Sequence, residues 1–289
     1  MADNTSKDPD ADLPTTGHEW DGIREFDKPL PRWWLWTFYA CIVWSVAYWI
    51  AMPSWPLISS YTKGVLGYSQ RLTLKDEMQA AQAAQGKFRD RIAALSLAEI
   101  RSDPELLNFA LAGGKSAFAV NCSQCHGRGA AGFVGYPNLN DDAWLWGGRL
   151  EDIHQTIRTG IRSDHPDTRV SAMPAFLKDE VLNREQIGFV TEYVLSLSGQ
   201  QHDAAAARKG APLFAEQCVA CHQKDGTGNR ELGAPNLTDA IWLYGGDRAT
   251  VAETVSYSRQ GMMPAWESRL DAVTVKQLAL YVHSLGGGQ

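Results

Sequence analysis

The sequence predicts an all-α protein: one N-terminal membrane-spanning helix followed by two tandem copies of a small helical domain. Three observations carry that prediction. A single uncharged apolar run of 20 residues stands near the N-terminus. A block in the C-terminal part of the chain occurs twice. Outside the run, apolar residues recur at helical spacing, and nothing alternates convincingly as a strand.

The apolar run is WWLWTFYACIVWSVAYWIAM, Trp33 to Met52, about the length a helix needs to cross the hydrocarbon core of a bilayer. Trp33, Trp34 and Trp36 stand at one end and Tyr48, Trp49 and Trp55 at or beyond the other, as in interfacial aromatic belts. Mostly polar residues precede the run and no small-x-small cleavage pattern follows it, so it reads as an uncleaved anchor. Arg24, Lys28 and Arg32 lie before it and only Lys63 follows within a similar distance. The positive-inside bias therefore puts residues 1–32 in the cytoplasm, the span at 33–52, and everything after it on the outer face of the bacterial inner membrane. Cys41, within the run, reads as a small hydrophobe.

Pro53 and Pro56 end the helix. Residues 53–103 then form a linker, with a connector helix from about Lys75 to Leu97 that carries Phe88, Ile92 and Leu95 at helical spacing and stops near the Ser102-Asp103-Pro104 start signal.

Comparison of the remainder with itself reveals the repeat. Gly114-Lys-Ser-Ala-Phe118 and Cys122-Ser-Gln-Cys125-His126 match Gly210-Ala-Pro-Leu-Phe214 and Cys218-Val-Ala-Cys221-His222 at an offset of 96. Pro137-Asn-Leu139 then aligns with Pro235-Asn-Leu237, Trp144-Leu-Trp-Gly-Gly148 with Trp242-Leu-Tyr-Gly-Gly246, and Met173-Pro-Ala-Phe176 with Met263-Pro-Ala-Trp266. The copies span 104–200 and 201–289. Each has a helix leading into the cysteines, an amphipathic helix after the Gly-Gly element, and a last helix with capping-box-like starts at Asn183-x-x-Gln186 and Thr274-x-x-Gln277.

Cys-x-x-Cys-His is the attachment motif of c-type haem. Both thiols add to vinyl groups of one macrocycle, and the adjoining imidazole is placed to reach the iron. Cys122 and Cys125, with Cys218 and Cys221, are thus the expected covalent attachments of two haem c groups, and His126 and His222 the expected axial ligands. A zinc site would need further ligands, and a thioredoxin-type dithiol a strand before its helix; neither is supplied. Met173 and Met263, 47 and 41 residues after their histidines in matched Met-Pro-Ala-aromatic turns, are the expected sixth ligands. Met262 lacks the following Pro. Whether each Met serves the iron of its own copy or of the other is open at this level.

A formal charge of −6, from 27 Lys+Arg against 33 Asp+Glu, gives no footprint for nucleic acid. His18, His154, His165, His202 and His283 have no repeat partner and read as surface or core residues. Trp144 with Trp242, and Trp146 with Tyr244, are expected against haem faces or domain cores, and Gly129, Gly132, Gly226 and Gly228 in turns around the haem edge. Asp141, Asp142, Glu151 and Asp152 are a candidate patch for steering a basic donor, against the plainer reading of a solvated helix start.

Thr16-Gly-His-Glu-Trp-Asp-Gly-Ile-Arg-Glu-Phe-Asp27, Pro29-Leu-Pro-Arg-Trp-Trp34 entering the span, and Gly64-Val-Leu-Gly-Tyr-Ser-Gln-Arg71 after it, joined to two Cys-x-x-Cys-His domains, carry a resemblance over nearly the whole chain. The chain resembles the dihaem, membrane-anchored third-subunit family of bacterial cbb3-type cytochrome c oxidases, and among them the shorter members with one span. The resemblance implies a relay that accepts electrons from a donor cytochrome c and passes them to a monohaem partner subunit. That partner would feed the separate catalytic subunit, where oxygen is reduced and protons are pumped. This chain itself would carry no catalytic centre. Competing readings are the cytochrome subunit of a periplasmic dehydrogenase, a dihaem peroxidase and a haem-based sensor. The matched Met turns oppose the peroxidase; the sensor needs an iron open to small gases.

Overall fold

A computed structural model describes residues 14–288. The chain divides within one long helix into two compact units, one up to Ala84 and one from Gln85 on. Of the expected cytoplasmic segment 1–32, residues 1–13 lie outside the described residues.

The first unit opens with a feature the sequence reading passed over. Strands β1 (Thr15–Trp20) and β2 (Ile23–Phe26) form an antiparallel hairpin, with Trp20 opposite Ile23. Asp21 and Gly22 both have positive φ, 50° and 83°, as a two-residue primed turn demands. The Asp-Gly pair was the available signal; weak alternation in the flanks hid it.

Helix α1 (Arg32–Ala51) is the apolar run, none of it buried. Its Thr and Ser hydroxyls are satisfied within the helix: Thr37 donates to the Trp33 carbonyl at 3.0 Å and Ser45 to that of Cys41 at 2.7 Å. A span without water needs that economy. After Met52 the chain folds back, and the amides of Val65 and Leu66 donate to the Ile50 and Ala51 carbonyls at 2.9 and 3.1 Å, closing carbonyls that the helix end leaves open. Gly64 makes this return possible. Its φ is +69°, and a Cβ there would stand 2.4 Å from the Ala51 oxygen.

Helix α2 runs from Gln70 to Ala94, starting earlier than expected at Lys75. In the second unit, α3 (Leu97–Ser102) begins at a capping box between Ser96 and Glu99, and α4 (Pro104–Asn121) at Asp103, whose carboxylate accepts from the Glu105 and Leu106 amides. The single-turn α5 (Ser123–His126) follows, then α6 (Leu150–Thr159) and α7 (Arg184–Leu197). The second copy repeats the series as α8 (Ala204–Gln217), α9 (Val219–His222), α10 (Arg248–Tyr257) and α11 (Ala272–His283). The Asn183–Gln186 capping box is present. The Thr274 one is not: Asp271 caps α11, and Thr274 is the third residue inside it.

The closing helix of each copy is buried in the core of the other. One apolar cluster joins Leu106 and Phe118 of α4 and Leu150, Ile153 and Ile157 of α6 to Val275, Leu278 and Val282 of α11. The second joins Ile187, Val190 and Val194 of α7 to Phe214 of α8 and Val251 and Val255 of α10. Two repeat-matched glycines permit the crossings. A Cβ on Gly114 would lie 2.2 Å from the Gln277 carbonyl oxygen, and one on Gly210 would lie 2.0 Å from that of Phe189. Beside them, matched aromatic pairs pack with ring centroids 5.5 Å apart for Phe118 and Tyr281 and 5.1 Å apart for Tyr193 and Phe214.

Candidate haem-binding sites

In each copy the first cysteine is the hinge between two helices. Cys122 ends α4 and starts α5, as Cys218 ends α8 and starts α9, with nearly the same backbone angles. The single turn that follows returns the His126 and His222 amides to the Cys122 and Cys218 carbonyls, both at 2.9 Å, so that Cys, Cys and His are held on one short rigid element.

The histidines are then oriented by backbone. His126 Nδ1 lies 3.0 Å from the Pro137 carbonyl oxygen and His222 Nδ1 lies 3.1 Å from that of Pro235. A carbonyl only accepts, so Nδ1 carries the proton and Nε2 keeps its lone pair for a metal, the usual arrangement of a ligating imidazole. Burial pushes both pKa values below the ordinary histidine value, opposed by those carbonyls, which favours the neutral, ligating form. Burial also pushes the Cys122 and Cys218 thiols up to about 11. Thiols held protonated are poor thiolate ligands or redox nucleophiles. Among the described residues, no three or more His, Cys, Asp or Glu side chains converge as a metal cluster.

The methionines sit across the exchange. The Met173 turn is fastened to α10: Ser258 donates its hydroxyl to the Met173 carbonyl, and the Phe176 amide donates to Val255 at 3.2 Å. Met173 lines a cleft with Cys218, Cys221 and His222, whose remaining walls are largely apolar. The Met263 turn is fastened to the end of α6 by paired bonds with Ile161, 2.9 and 3.0 Å, and by the Trp266 amide to Ile157 at 3.1 Å. Met263 packs in the cluster that holds Cys122, Leu139 and Trp144. Gly160 admits this turn, since a Cβ there would lie 2.4 Å from the Met263 oxygen. The structure thus brings Met173 to the second Cys-x-x-Cys-His and packs Met263 against the apolar cluster that Cys122 of the first also borders. Met262 is exposed.

The cleft of the second site is lined by Cys218, Cys221, His222 and Met173 among largely apolar residues that include Val190, Phe214, Leu237 and Trp242. An apolar slot lined by a thiol pair, an oriented imidazole and a thioether fits a haem by the chemistry of its donors.

Trp144 and Trp242 pack against the two cores as expected. Trp146 is buried against Gly233, and Tyr244 approaches Gly135, so each reaches into the other copy. Gly132, Gly226 and Gly228 take positive φ; Gly129 does not, and its Cβ position is open. The candidate steering patch loses a member. The Asp152 carboxylate is tied to Arg149 at 2.9 Å and lies 3.8 Å from Arg169. Sequence reading also passed over Pro137 and Pro235 as histidine partners, although both stand in the repeat, and an arginine four residues before each Met, Arg169 and Arg259.

Two family descriptions match this chain. Residues 13–59 match the N-terminal domain of cytochrome oxidase-cbb3, FixP, and residues 109–194 and 205–282 each match cytochrome c oxidase, cbb3-type, subunit III. The chain belongs to the cbb3-type cytochrome c oxidase subunit III family. Similar proteins include the cbb3-type cytochrome c oxidase subunit CcoP of Cereibacter sphaeroides, 53% identical with both chains covered in full, and subunit FixP of Bradyrhizobium sp., 54% identical with both covered in full. Subunit CcoP of Azospirillum brasilense is 51% identical over 98% of each chain. As a subunit III, this protein is an electron-transfer subunit of a membrane-bound oxidase complex. Its tandem domains are of the cytochrome c type and imply haem c, and α1 fits a membrane anchor.

Proposed function

We propose that this subunit is a two-haem relay on the outer face of the membrane. It takes electrons from a donor cytochrome c and delivers them to a monohaem subunit that feeds the oxygen-reducing subunit, and it has no catalytic centre of its own. Residues 1–32 lie in the cytoplasm, 33–52 cross once, 53–103 connect, and the copies 104–200 and 201–289 contribute one haem attachment each. The observation that carries the reading is the duplicated set of Cys pair, carbonyl-oriented His and Met brought in from the other copy.

When bound, the haems supply the one-electron chemistry. The chain does the rest. Cys122 and Cys125 fix one macrocycle and Cys218 and Cys221 the other, so neither is lost in turnover. Pro137 and Pro235 hold the protonated Nδ1 atoms of His126 and His222 and so leave each Nε2 lone pair free to hold an iron. Met263 completes the first set and Met173 the second. With a His and a Met from each set engaged, the haems would leave no position for oxygen and other small ligands, and Met/His ligation would raise the potential relative to two histidines, suiting transfer toward a strong oxidant. Because each set draws a ligand from both copies, the two haems are held as one body.

The test is haem quantification on full-length protein from a host that matures c-type cytochromes, with reduced-minus-oxidised spectra and a carbon monoxide challenge. Two covalent low-spin haems per chain that leave carbon monoxide unbound are expected. An iron that takes it up readily would overturn the relay assignment for that site.

A further inference from the structure

The cleft around Cys218, Cys221 and His222 carries a charge that its ligand residues do not explain. Two arginines, Arg162 and Arg259, stand on its otherwise largely apolar walls, and no carboxylate is among the residues lining it. Both are half-buried, and cations drawn partly out of water are costly unless paired.

Arg162 donates from Nε to the Gly261 carbonyl at 2.7 Å and from Nη1 to that of Ser171 at 2.9 Å. These backbone dipoles orient the fork without neutralising it. Arg259 stands 4.9 Å from the Tyr244 ring centroid and is held by the Thr250 carbonyl at 2.8 Å; its carboxylate neighbour among the described residues, Glu253 at 3.5 Å, is more than half exposed. The same device recurs in the other copy. Arg169 lies 5.4 Å from the centroid of Trp146, the repeat counterpart of Tyr244, and its buried Nε has no hydrogen-bond partner. An orphaned guanidinium N–H calls for an acceptor.

A haem brings two propionate carboxylates, and guanidinium forks match carboxylates in shape and charge. We propose that Arg162 and Arg259 are the anion partners of the second haem's propionates and that their charge raises that haem's potential. Reduction adds an electron to the haem, and a fixed cation nearby favours the reduced form. Arg162 comes from the first copy, so the second haem borrows a counter-charge as well as Met173 across the exchange. The inference rests on the haem reading of Cys218, Cys221 and His222.

The test is a spectroelectrochemical titration of the full-length holoprotein, with R162Q, R259Q and the charge-keeping R162K and R259K. The second haem's transition is identified as the one displaced by M173H. Each Gln variant is expected to raise the oxidised-to-reduced ratio of that haem about tenfold at fixed potential, a fall of ~59 mV for one electron. The Lys variants should recover most of it and the first haem should stay put. Loss of the second haem in R162Q with retention in R162K supports the proposal equally. An unmoved potential in a chain with two haems overturns it, as does an equal fall, or equal haem loss, in the Gln and Lys variants. Absence of the second haem from the unaltered chain would instead bring down the haem reading itself.

Discussion

The crossing of α7 with α8 makes opposite predictions for two glycines, one at the crossing and one on the exposed side of α7. At Gly210 in α8 an added Cβ would stand 2.0 Å from the Phe189 carbonyl oxygen, 2.6 Å from its carbon and 2.9 Å from the Tyr193 Cβ. Ordinary contact needs well over an ångström more, and the obstacle is backbone, so α7 and α8 must separate. Overpacking of this kind costs ~1–3 kcal/mol, and the direct backbone clash places Gly210→Ala at the top of that range. The better helix propensity of Ala returns ~1 kcal/mol. The net loss is about 2 kcal/mol, or a fall in Tm of about 4–8 °C at ~2–4 °C per kcal/mol for a unit of this size. At Gly188, within α7, nothing lies within 4 Å of the added Cβ, so Gly188→Ala keeps only the propensity gain and raises Tm by a few degrees. Thermal unfolding of both variants, followed by far-ultraviolet circular dichroism, checks the pair. If Gly210→Ala is as stable as the unaltered protein, or both substitutions shift Tm in the same direction, α7 and α8 do not cross as described.

Three further predictions follow from single contacts. Lys276 of α11 donates to the Ile92, Ala93 and Leu95 carbonyls at 2.9, 3.0 and 2.7 Å, closing the end of α2 with a cation, so Lys276→Met should cost ~1–2 kcal/mol and speed amide exchange and protease cleavage near residues 92–95. Unchanged exchange there would discount the contact. The Glu192 carboxylate accepts from Arg248 and from the Asp203 amide, chiefly the former, which holds its pKa below the ordinary value. A lowered folded pKa gives stability that is fully present above the unfolded carboxylate range and lost as pH falls through the folded value. Tm should therefore drop on acidification below about pH 4.5 more steeply in the unaltered protein than in Glu192→Gln, and parallel profiles would count against the pair. Pro137 is tied to His126 by its carbonyl alone, so Pro137→Ala should leave the first haem's spectrum nearly unchanged, whereas a large spectral change would mean that the ring, not the carbonyl, positions the imidazole.

Much of the site was legible because the chain states it twice. Cys122 with Cys218, His126 with His222 and Met173 with Met263 stand at matched places, and the anchor is a run no other segment approaches. Gly114 and Gly210 were visible as repeat anchors, but their purpose is not local. It depends on which closing helix lies over them, and periodicity shows a buried face without naming its neighbour. For the same reason the sequence left the pairing of methionines and irons open, and the proposed pairing rests on contacts of α7 with α8 and of α11 with α4. Arg162 and Arg259 escaped notice because a charged residue in a loop looks solvated until a cleft is seen around it. The hairpin was lost for a simpler reason: its twelve residues put weight on the Asp21-Gly22 turn rather than on alternation.

The exchange of methionines is the center of the account, and one measurement reaches it directly. Cys218→Ala with Cys221→Ala leaves a chain whose covalent haem is the one on Cys122 and Cys125. In that background the methionine-to-iron charge-transfer band of the oxidised protein reports a single site. Met263→Ala should abolish the band and open the iron to carbon monoxide, while Met173→Ala should leave both properties unchanged. Loss of the band with Met173→Ala and its survival with Met263→Ala would mean that each copy ligates its own iron, and the intertwined relay described here would be wrong.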